Sequence, residues 1–179
     1  MDHKTKSITI LSMLFFIMSS SFSISQEKAP DFKLLDLKSK QTELKEYLGK
    51  GPVVVDFWAS WCKPCVKSLP KLQKIYDKYK KYGLTIIGIN QDGPRNRSKI
   101  NPFIKSQGIN FPILFDDNSD VMRRYRIVGL PATVIISPEG NVVKVHKGYR
   151  AGDEKLFEEE IISLIKKYYL KKNGKVPKP

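Results

Sequence analysis

The sequence is poor in cysteine and long hydrophobic runs, and each scarcity excludes a class of protein. Two cysteines in 179 residues cannot cross-link a disulfide-stabilised miniprotein, and they cannot supply the four thiolates of an all-cysteine zinc site. No uninterrupted apolar run reaches the ~20 residues of a membrane-spanning helix. Acidic residues are also few, 18 against 32 Lys and Arg, so the net charge of +14 predicts a basic surface. What remains, with 41% hydrophobic and 28% charged residues, is the composition of one globular domain.

Residues 1–25 have the pattern of a secretory signal. Lys4 and Lys6 precede the apolar stretch Ile8–Met18, and the small residues of Ser23–Ser25 offer a cleavage site. We therefore expect an exported protein, in the periplasm or at the extracytoplasmic face of the membrane. Because no alanine marks the cut, an uncleaved membrane anchor is the alternative.

The remaining chain alternates strand and helix patterns, which predicts a domain over residues 26–170 and a basic flexible tail over 171–179. Val53–Trp58 is apolar except for Asp56 and predicts a strand buried on both faces. The other predicted elements are strands or a hairpin within 26–52, strands at Leu84–Ile89, Pro112–Phe115, Ala132–Ile136 and Val142–His146, helices at Cys62–Tyr82 and from Asp153, helical turns at Ser119–Arg126, and a short helix capped by Asn101 with Pro102 at its first position. This order predicts an α/β fold whose central sheet has helices on both faces.

The two cysteines, Cys62 and Cys65, lie where a buried strand passes into a helix. A disulfide between them closes so short a loop that it stabilises little, which suggests a chemical rather than a structural role. The positive end of the helix and the adjacent Lys63 both favour a thiolate at Cys62, and Pro64 is tolerated in a first helical turn. Cys65, one turn further in, is suited to attack a mixed disulfide held on Cys62.

Val55–Cys65 resembles the active-site strand and helix of the thioredoxin family, and Gly129–Thr133 resembles its cis-proline loop. Further segments are similar to the exported TlpA/ResA-type branch of that family: Ala29–Phe32, Leu35–Leu37, Ser68–Pro70, Gly88–Asn90, Phe111–Ile113 and Ser137–Gly140. The resemblance covers about residues 29–168. It implies a thioredoxin-like fold with a central mixed β-sheet and an N-terminal hairpin extension. It also implies a protein-disulfide reductase with no cofactor beyond the redox-active disulfide Cys62–Cys65.

The resemblance also implies a role for individual residues. Cys62 would be the nucleophile and Cys65 the resolving thiol. Pro131 would be the cis proline facing them, and the backbone of Leu130 would pair with an extended substrate segment. Asp56 matches a buried acid that moves protons for Cys65, and burial should raise its pKa. We expect the substrate-binding surface to comprise Trp61, Lys63, Pro64 and Leu130.

Two positions depart from the cytochrome c maturation reductases of this branch. Those proteins usually carry Glu at the position of Ser68 and commonly Asn at the position of Asp56. These differences weaken the expectation of a haem-protein substrate, but they leave the expectation of thiol–disulfide chemistry intact.

Several alternatives compete with a disulfide reductase. The entry hairpin is shared with peroxiredoxins, so a thiol peroxidase is one, although Ala59 stands where that family has Thr. A disulfide oxidase or isomerase, an inert disulfide, and a metal site that includes His146 are others. The last is a binding module that uses the basic face.

The expected partners are disulfide-bonded exported proteins and a membrane electron donor. The basic runs favour contact with an anionic membrane surface. We expect no metal ion, because a four-ligand site would need a carboxylate or a second chain in addition to the two cysteines and His146. We expect no nucleic acid, because no aromatic-basic recognition motif is present.

Overall fold

Seven strands and four α-helices are found in residues 27–176, the part of the chain that the computed structural model describes. In chain order they are β1 (Lys33–Asp36), β2 (Gln41–Glu43), β3 (Val53–Trp58), α1 (Lys63–Tyr79), β4 (Thr85–Asn90), α2 (Arg97–Ser106), β5 (Ile113–Phe115), α3 (Asp120–Arg124), β6 (Ala132–Ile136), β7 (Val142–Lys147) and α4 (Asp153–Asn173). The strands form one mixed sheet in the order β2-β1-β5-β4-β3-β6-β7. The predicted export signal lies outside the described residues.

Strand β3 lies within the sheet, between β4 and β6, and all six of its residues are buried. It pairs in parallel with β4 and antiparallel with β6. Val54 and Trp58 belong to one apolar cluster, whereas Val53, Val55 and Phe57 belong to another. This alternation is the period of a strand covered on both faces, as the apolar run predicted.

Helices cover both faces of the sheet, as predicted, but they contribute unequally to the two apolar clusters. Helices α1, α2 and α4 all supply residues to the cluster that holds the cysteines; those of α4 are Phe157, Ile161 and Ile165. The other cluster receives Val121 of α3, together with Phe32 and Leu44 from the N-terminal segment. The N-terminal hairpin extension is confirmed, because β1 pairs antiparallel with both β2 and β5.

The helix predicted to have Asn101 as its cap and Pro102 at its first position begins at Arg97 instead, so Pro102 lies inside α2. Ile100 and Ile104 are both buried in the core, and two residues four apart share a helical face only if the helix has begun before the first. The final helix also extends beyond the predicted boundary at residue 170 and ends at Asn173. None of the helices in residues 27–176 combines the length and apolar character needed to cross a bilayer.

Gly88 of β4 allows Trp58 to pack directly against the sheet. A Cβ at this position would lie 2.9 Å from Nε1 of Trp58 and 2.7 Å from Cδ1 of Ile113. The Trp58 ring also stacks on Phe103 of α2, with ring centroids 5.8 Å apart. The residue that leads from β3 into the cysteine loop is therefore fixed by contacts with two other elements.

Candidate active site

Cys62 and Cys65 form a disulfide at the start of α1. Cys62 is the N-cap residue, and its Sγ accepts a hydrogen bond from the backbone N–H of Cys65 at 3.3 Å. Pro64 lies in the first turn of the helix. Cys62 is 6% exposed and Cys65 is fully buried, so an external disulfide can approach only Cys62.

The residues around Cys62 form a surface that a protein client can contact. Trp61 is 66% exposed, as expected for a substrate contact, and Lys63 and Pro64 are also exposed. Val128, three residues before Pro131, is 92% exposed. An exposed aromatic side chain such as Trp61, directly before a reactive cysteine, is typical of a protein-docking surface.

Asp56 is fully buried in β3, two residues from Val54 and two from Trp58. Since strand side chains alternate, its carboxyl lies on the sheet face covered by α1, the face that holds both cysteines. Thr133 donates a hydrogen bond from Oγ1 to Oδ1 of Asp56 at 2.7 Å, and Oδ2 has no hydrogen-bond partner. Burial raises the pKa of Asp56 to about 7, although the Thr133 hydrogen bond opposes the shift. A carboxyl with this pKa can exchange a proton near neutral pH.

The Leu130–Pro131 peptide bond is cis, as the resemblance implied. The carbonyl of Pro131 accepts a hydrogen bond from Gly148 N–H at 2.8 Å, which ties the loop to the residue that follows β7. Leu130 packs against the apolar cluster that contains both cysteines. Pro131, Leu130 and Pro64 line one cavity, so the structure brings the cis-proline loop to the start of α1.

Ser68, at the position where related reductases carry Glu, is buried one turn after Cys65. Its Oγ donates to the backbone carbonyl of Cys65 at 2.9 Å. The hydroxyl is thus engaged with the helix backbone and supplies no charge to the cysteines.

A hydrogen-bond network that sequence reasoning missed holds the loop between β3 and Cys62. Asp92 accepts from the backbone N–H of Ser60 at 2.8 Å and from its Oγ at 2.5 Å. Asn90 donates from Nδ2 to the same carboxylate at 2.6 Å. One signal could have indicated this contact, because β3 and β4 are parallel neighbours and the residues that follow them meet at one sheet edge.

His146 lies on β7 and contacts α4. Its Nε2 is 2.7 Å from Oε2 of Glu160, and its ring packs against Phe157 with centroids 4.6 Å apart. Within residues 27–176, no group of three His, Cys, Asp or Glu side chains could hold a metal ion.

Comparison with known proteins agrees with this geometry. A sequence profile of the AhpC/TSA family matches residues 25–145. This chain belongs to the AhpC/TSA family. Within that family it is similar to thiol-disulfide oxidoreductase ResA of Halalkalibacterium halodurans, with 36% identity over 84% of this chain and 82% of the relative. ResA of Bacillus subtilis is 38% identical, and the match covers 74% of this chain and 73% of that relative.

The fold also matches that of solved structures described as thiol–disulfide interchange proteins. A Chlorobium tepidum protein, provisionally described as thiol:disulfide interchange protein DsbE, superimposes with a TM-score of 0.73. It is 31% identical and is covered over 96% of its length, and the match spans 78% of this chain. The thioredoxin-like fold and the assignment as a thiol–disulfide oxidoreductase are therefore confirmed. The roles of individual site residues stay predictions.

Proposed function

We propose that this AhpC/TSA family member reduces disulfides of exported client proteins by dithiol exchange. The Cys62 thiolate attacks one sulfur of a client disulfide, which forms a mixed disulfide and releases the other client sulfur as a thiolate. Cys65 then attacks Sγ of Cys62, so the client leaves as a dithiol and the enzyme pair is oxidised by two electrons. The observation that carries this assignment is the difference in burial between Cys62 and Cys65 at the start of α1.

Asp56 is the proposed proton acceptor for Cys65 in the second step. The buried Cys65 thiol must lose its proton before it can attack, since the thiolate is the nucleophile. A carboxylate on the sheet face covered by α1, with a pKa of about 7, accepts that proton at neutral pH and returns it when the pair is next reduced.

The site is proposed to operate in the reducing direction. The positive charge of Lys63 favours the thiolate form, which makes the pair more oxidising. Lys63 is exposed, however, and a screened surface charge shifts a potential by far less than the ~150 mV between thioredoxin and a strong periplasmic oxidant. A dedicated membrane electron donor would return Cys62–Cys65 to the dithiol outside the cytoplasm, where residues 1–25 would direct the chain.

Equilibration of the purified protein with a glutathione buffer tests the direction. A potential below about −180 mV, the reference for disulfide isomerase, is expected for a reductase. A more oxidising value would show that the protein introduces or shuffles disulfides. Alkylation of cysteines in intact cells gives an independent answer, because a reductase is trapped mainly as the dithiol.

A peroxidase is the second candidate, because of the family to which the chain belongs. Ala59 is buried and offers no hydroxyl where peroxiredoxins carry Thr, which argues against peroxide chemistry. Peroxide consumption with a dithiol reductant separates the two functions. Rapid turnover of peroxide by wild type, lost in Cys62→Ser, would replace the reductase with a peroxidase.

A further inference from the structure

Two open cavities meet beside the active site. The first, about 410 Å³, is lined in part by Pro64, Pro131, Lys147, Tyr149, Arg150 and Asp153. The second, about 460 Å³, is lined in part by Lys63, Pro64, Lys67, Lys71 and Tyr149. The two cavities share Pro64 and Tyr149 in their walls, so they lie side by side, and together they are here called the basic groove. It runs from the cis proline along the first turns of α1.

The basic groove has an excess of positive charge that the protein does not neutralise. Lys63, Lys67, Lys147 and Arg150 form no ion pair with any residue in 27–176. The fifth cation, Lys71, reaches Glu154 only at 3.9 Å.

The carboxylates beside the groove are engaged by other groups. Asp153 accepts the backbone N–H of Arg150 at 2.7 Å. Glu154 accepts the Tyr149 hydroxyl at 2.7 Å and the Gly152 N–H at 2.9 Å. These bonds hold the loop after β7 and the start of α4. Both carboxylates keep their charge, so five cations stand against two carboxylates and the groove stays net positive.

We infer that the basic groove selects clients that carry Asp or Glu close to the cysteine under attack. This inference rests on the proposed function and specifies its substrate. The groove starts at Pro131 and Pro64, so a client sulfur at Cys62 places neighbouring client residues over the cations. Unpaired charges around a concave surface concentrate ligands of opposite sign and accelerate encounter. Lys63, Lys67 and Lys71 follow one another at four-residue intervals on α1, so an extended acidic segment that lies along this helix meets one cation per turn.

The experiment uses three peptides that differ only in charge. Each carries one cysteine as a mixed disulfide with thiopyridine, flanked on both sides by Glu, Gln or Lys. The reduced full-length protein is mixed with each peptide, and release of thiopyridone gives the second-order rate constant. We expect the Glu peptide to react about tenfold faster than the Gln peptide at low salt, and the Lys peptide to react most slowly. The ratio should approach one in ~1 M salt, where the Debye length is about 3 Å.

A charge-matched pair of double variants locates the effect. Lys67→Glu with Lys147→Glu reverses two groove charges, and Lys74→Glu with Lys144→Glu reverses two exposed charges outside the groove. Each pair takes one residue from α1 and one from β7. The groove variant should lower the Glu-to-Gln ratio to one or below, whereas the control variant should keep the wild-type ratio.

Two results would overturn the inference while leaving the proposed function in place. One is equal reduction of all three peptides by wild type, and the other is the same ratio in both double variants. If wild type reduces none of the peptides, the proposed function itself is wrong and the inference is lost with it. A further measurement compares the binding of wild type and both double variants to phosphatidylglycerol vesicles. If only the groove variant loses vesicle binding while the peptide ratio stays unchanged, the groove contacts membrane and the inference is wrong.

Discussion

Thr133 donates its hydroxyl to Asp56 across 2.7 Å, which joins the strand after the cis-proline loop to the strand before the cysteines. The bond stabilises the carboxylate and holds the pKa of Asp56 below the value that burial alone would give. The same pairing fixes the orientation of the acid, because β3 and β6 are in register at these two residues. Asp56 and Thr133 should therefore be treated as one unit when the chemistry of Cys65 is tested.

Replacing Thr133 with Val should raise the pKa of Asp56 above about 7, because the carboxylate loses its hydrogen-bond donor. The carboxylate is the active form, so resolution of a mixed disulfide should slow at pH 7 and recover at higher pH. Stopped-flow measurement of client release between pH 5 and 9 gives the midpoint. Thr133→Ser keeps the donor and serves as the control. An unchanged midpoint in the Val variant would show that this hydrogen bond does not tune the reaction.

Asp56→Asn should slow the second step of exchange and spare the first. Loss of a general base typically costs on the order of 10²-fold or more in the step that it serves. The rate of attack by Cys62 on a client disulfide should stay close to that of wild type, because Cys62 is positioned by the start of α1. Rapid quenching followed by gel separation resolves the two steps. If client release is as fast as in wild type from pH 6 to 8, Asp56 has a structural role only.

The raised pKa of Asp56 also predicts how stability depends on pH. The native state keeps its proton up to about pH 7, whereas the unfolded chain releases it near 3.8, so the native state binds more protons between these values. The free energy of unfolding should thus fall as pH rises through this window, by about 4 kcal/mol at most, and level off above it. Urea denaturation of oxidised wild type and Asp56→Asn at pH 4 and 8 measures the effect. The loss attributable to Asp56 should be absent from the variant, and equal losses in both proteins would contradict the assignment.

The order of attack by the two cysteines follows from their burial. Cys65→Ser should accumulate mixed disulfides with client proteins through Cys62, because the resolving thiol is missing. Cys62→Ser should not, because Cys65 is fully buried. Non-reducing gels of cells that express each variant make the comparison. Equal trapping, or trapping only by Cys62→Ser, would reverse the roles of the two residues.

Asp92→Ala should loosen the loop that carries Ser60. The substitution removes the acceptor for the part-buried Ser60 N–H and hydroxyl and for the amide of the buried Asn90, and an unsatisfied buried polar group costs about 1–3 kcal/mol. Hydrogen exchange at the Ser60 amide should accelerate, while exchange within α4 changes much less. Asp120→Ala removes a carboxylate that pairs with Arg123 on the surface and should leave Ser60 unaffected. No change at Ser60 in the Asp92 variant would mean that other contacts hold the loop.

Local sequence patterns predicted most of the strands and helices and the cysteine site, because the signals for them lie in consecutive residues. The apolar run of β3 and the residues from Val55 to Cys65 carry their information within one strand and one helical turn. The cis geometry of Pro131 needed the family resemblance, since few X-Pro bonds are cis, and so did the roles expected of Asp56 and Leu130. The beginning of α2 was misplaced because Pro102 resembles a first-turn proline, and only burial of Ile100 shows that the helix starts earlier.

The two features that sequence reasoning missed both depend on contacts between distant segments. Asp92 and Ser60 are 32 residues apart, and Lys67 and Lys147 are 80 apart in the sequence. Basic residues along α1 are typical of a solvated helix face, and nothing local indicates that β7 and the loop after it add charges to the basic groove. The groove exists only once the sheet places the end of β7 beside Pro131.

The two tryptophans also give this protein a built-in optical reporter. Trp58 is fully buried in the core, whereas Trp61 is exposed to solvent. Trp58 lies four residues before Cys62, and Trp61 lies directly before it. Disulfides quench indole emission on contact, so opening the Cys62–Cys65 bond should brighten the fluorescence without any added label. Because buried indoles emit at shorter wavelengths than hydrated ones, the blue and red edges of the spectrum report separately on the core and on client contact at the surface. Oxidation state and client binding could thus be followed together in a single emission scan.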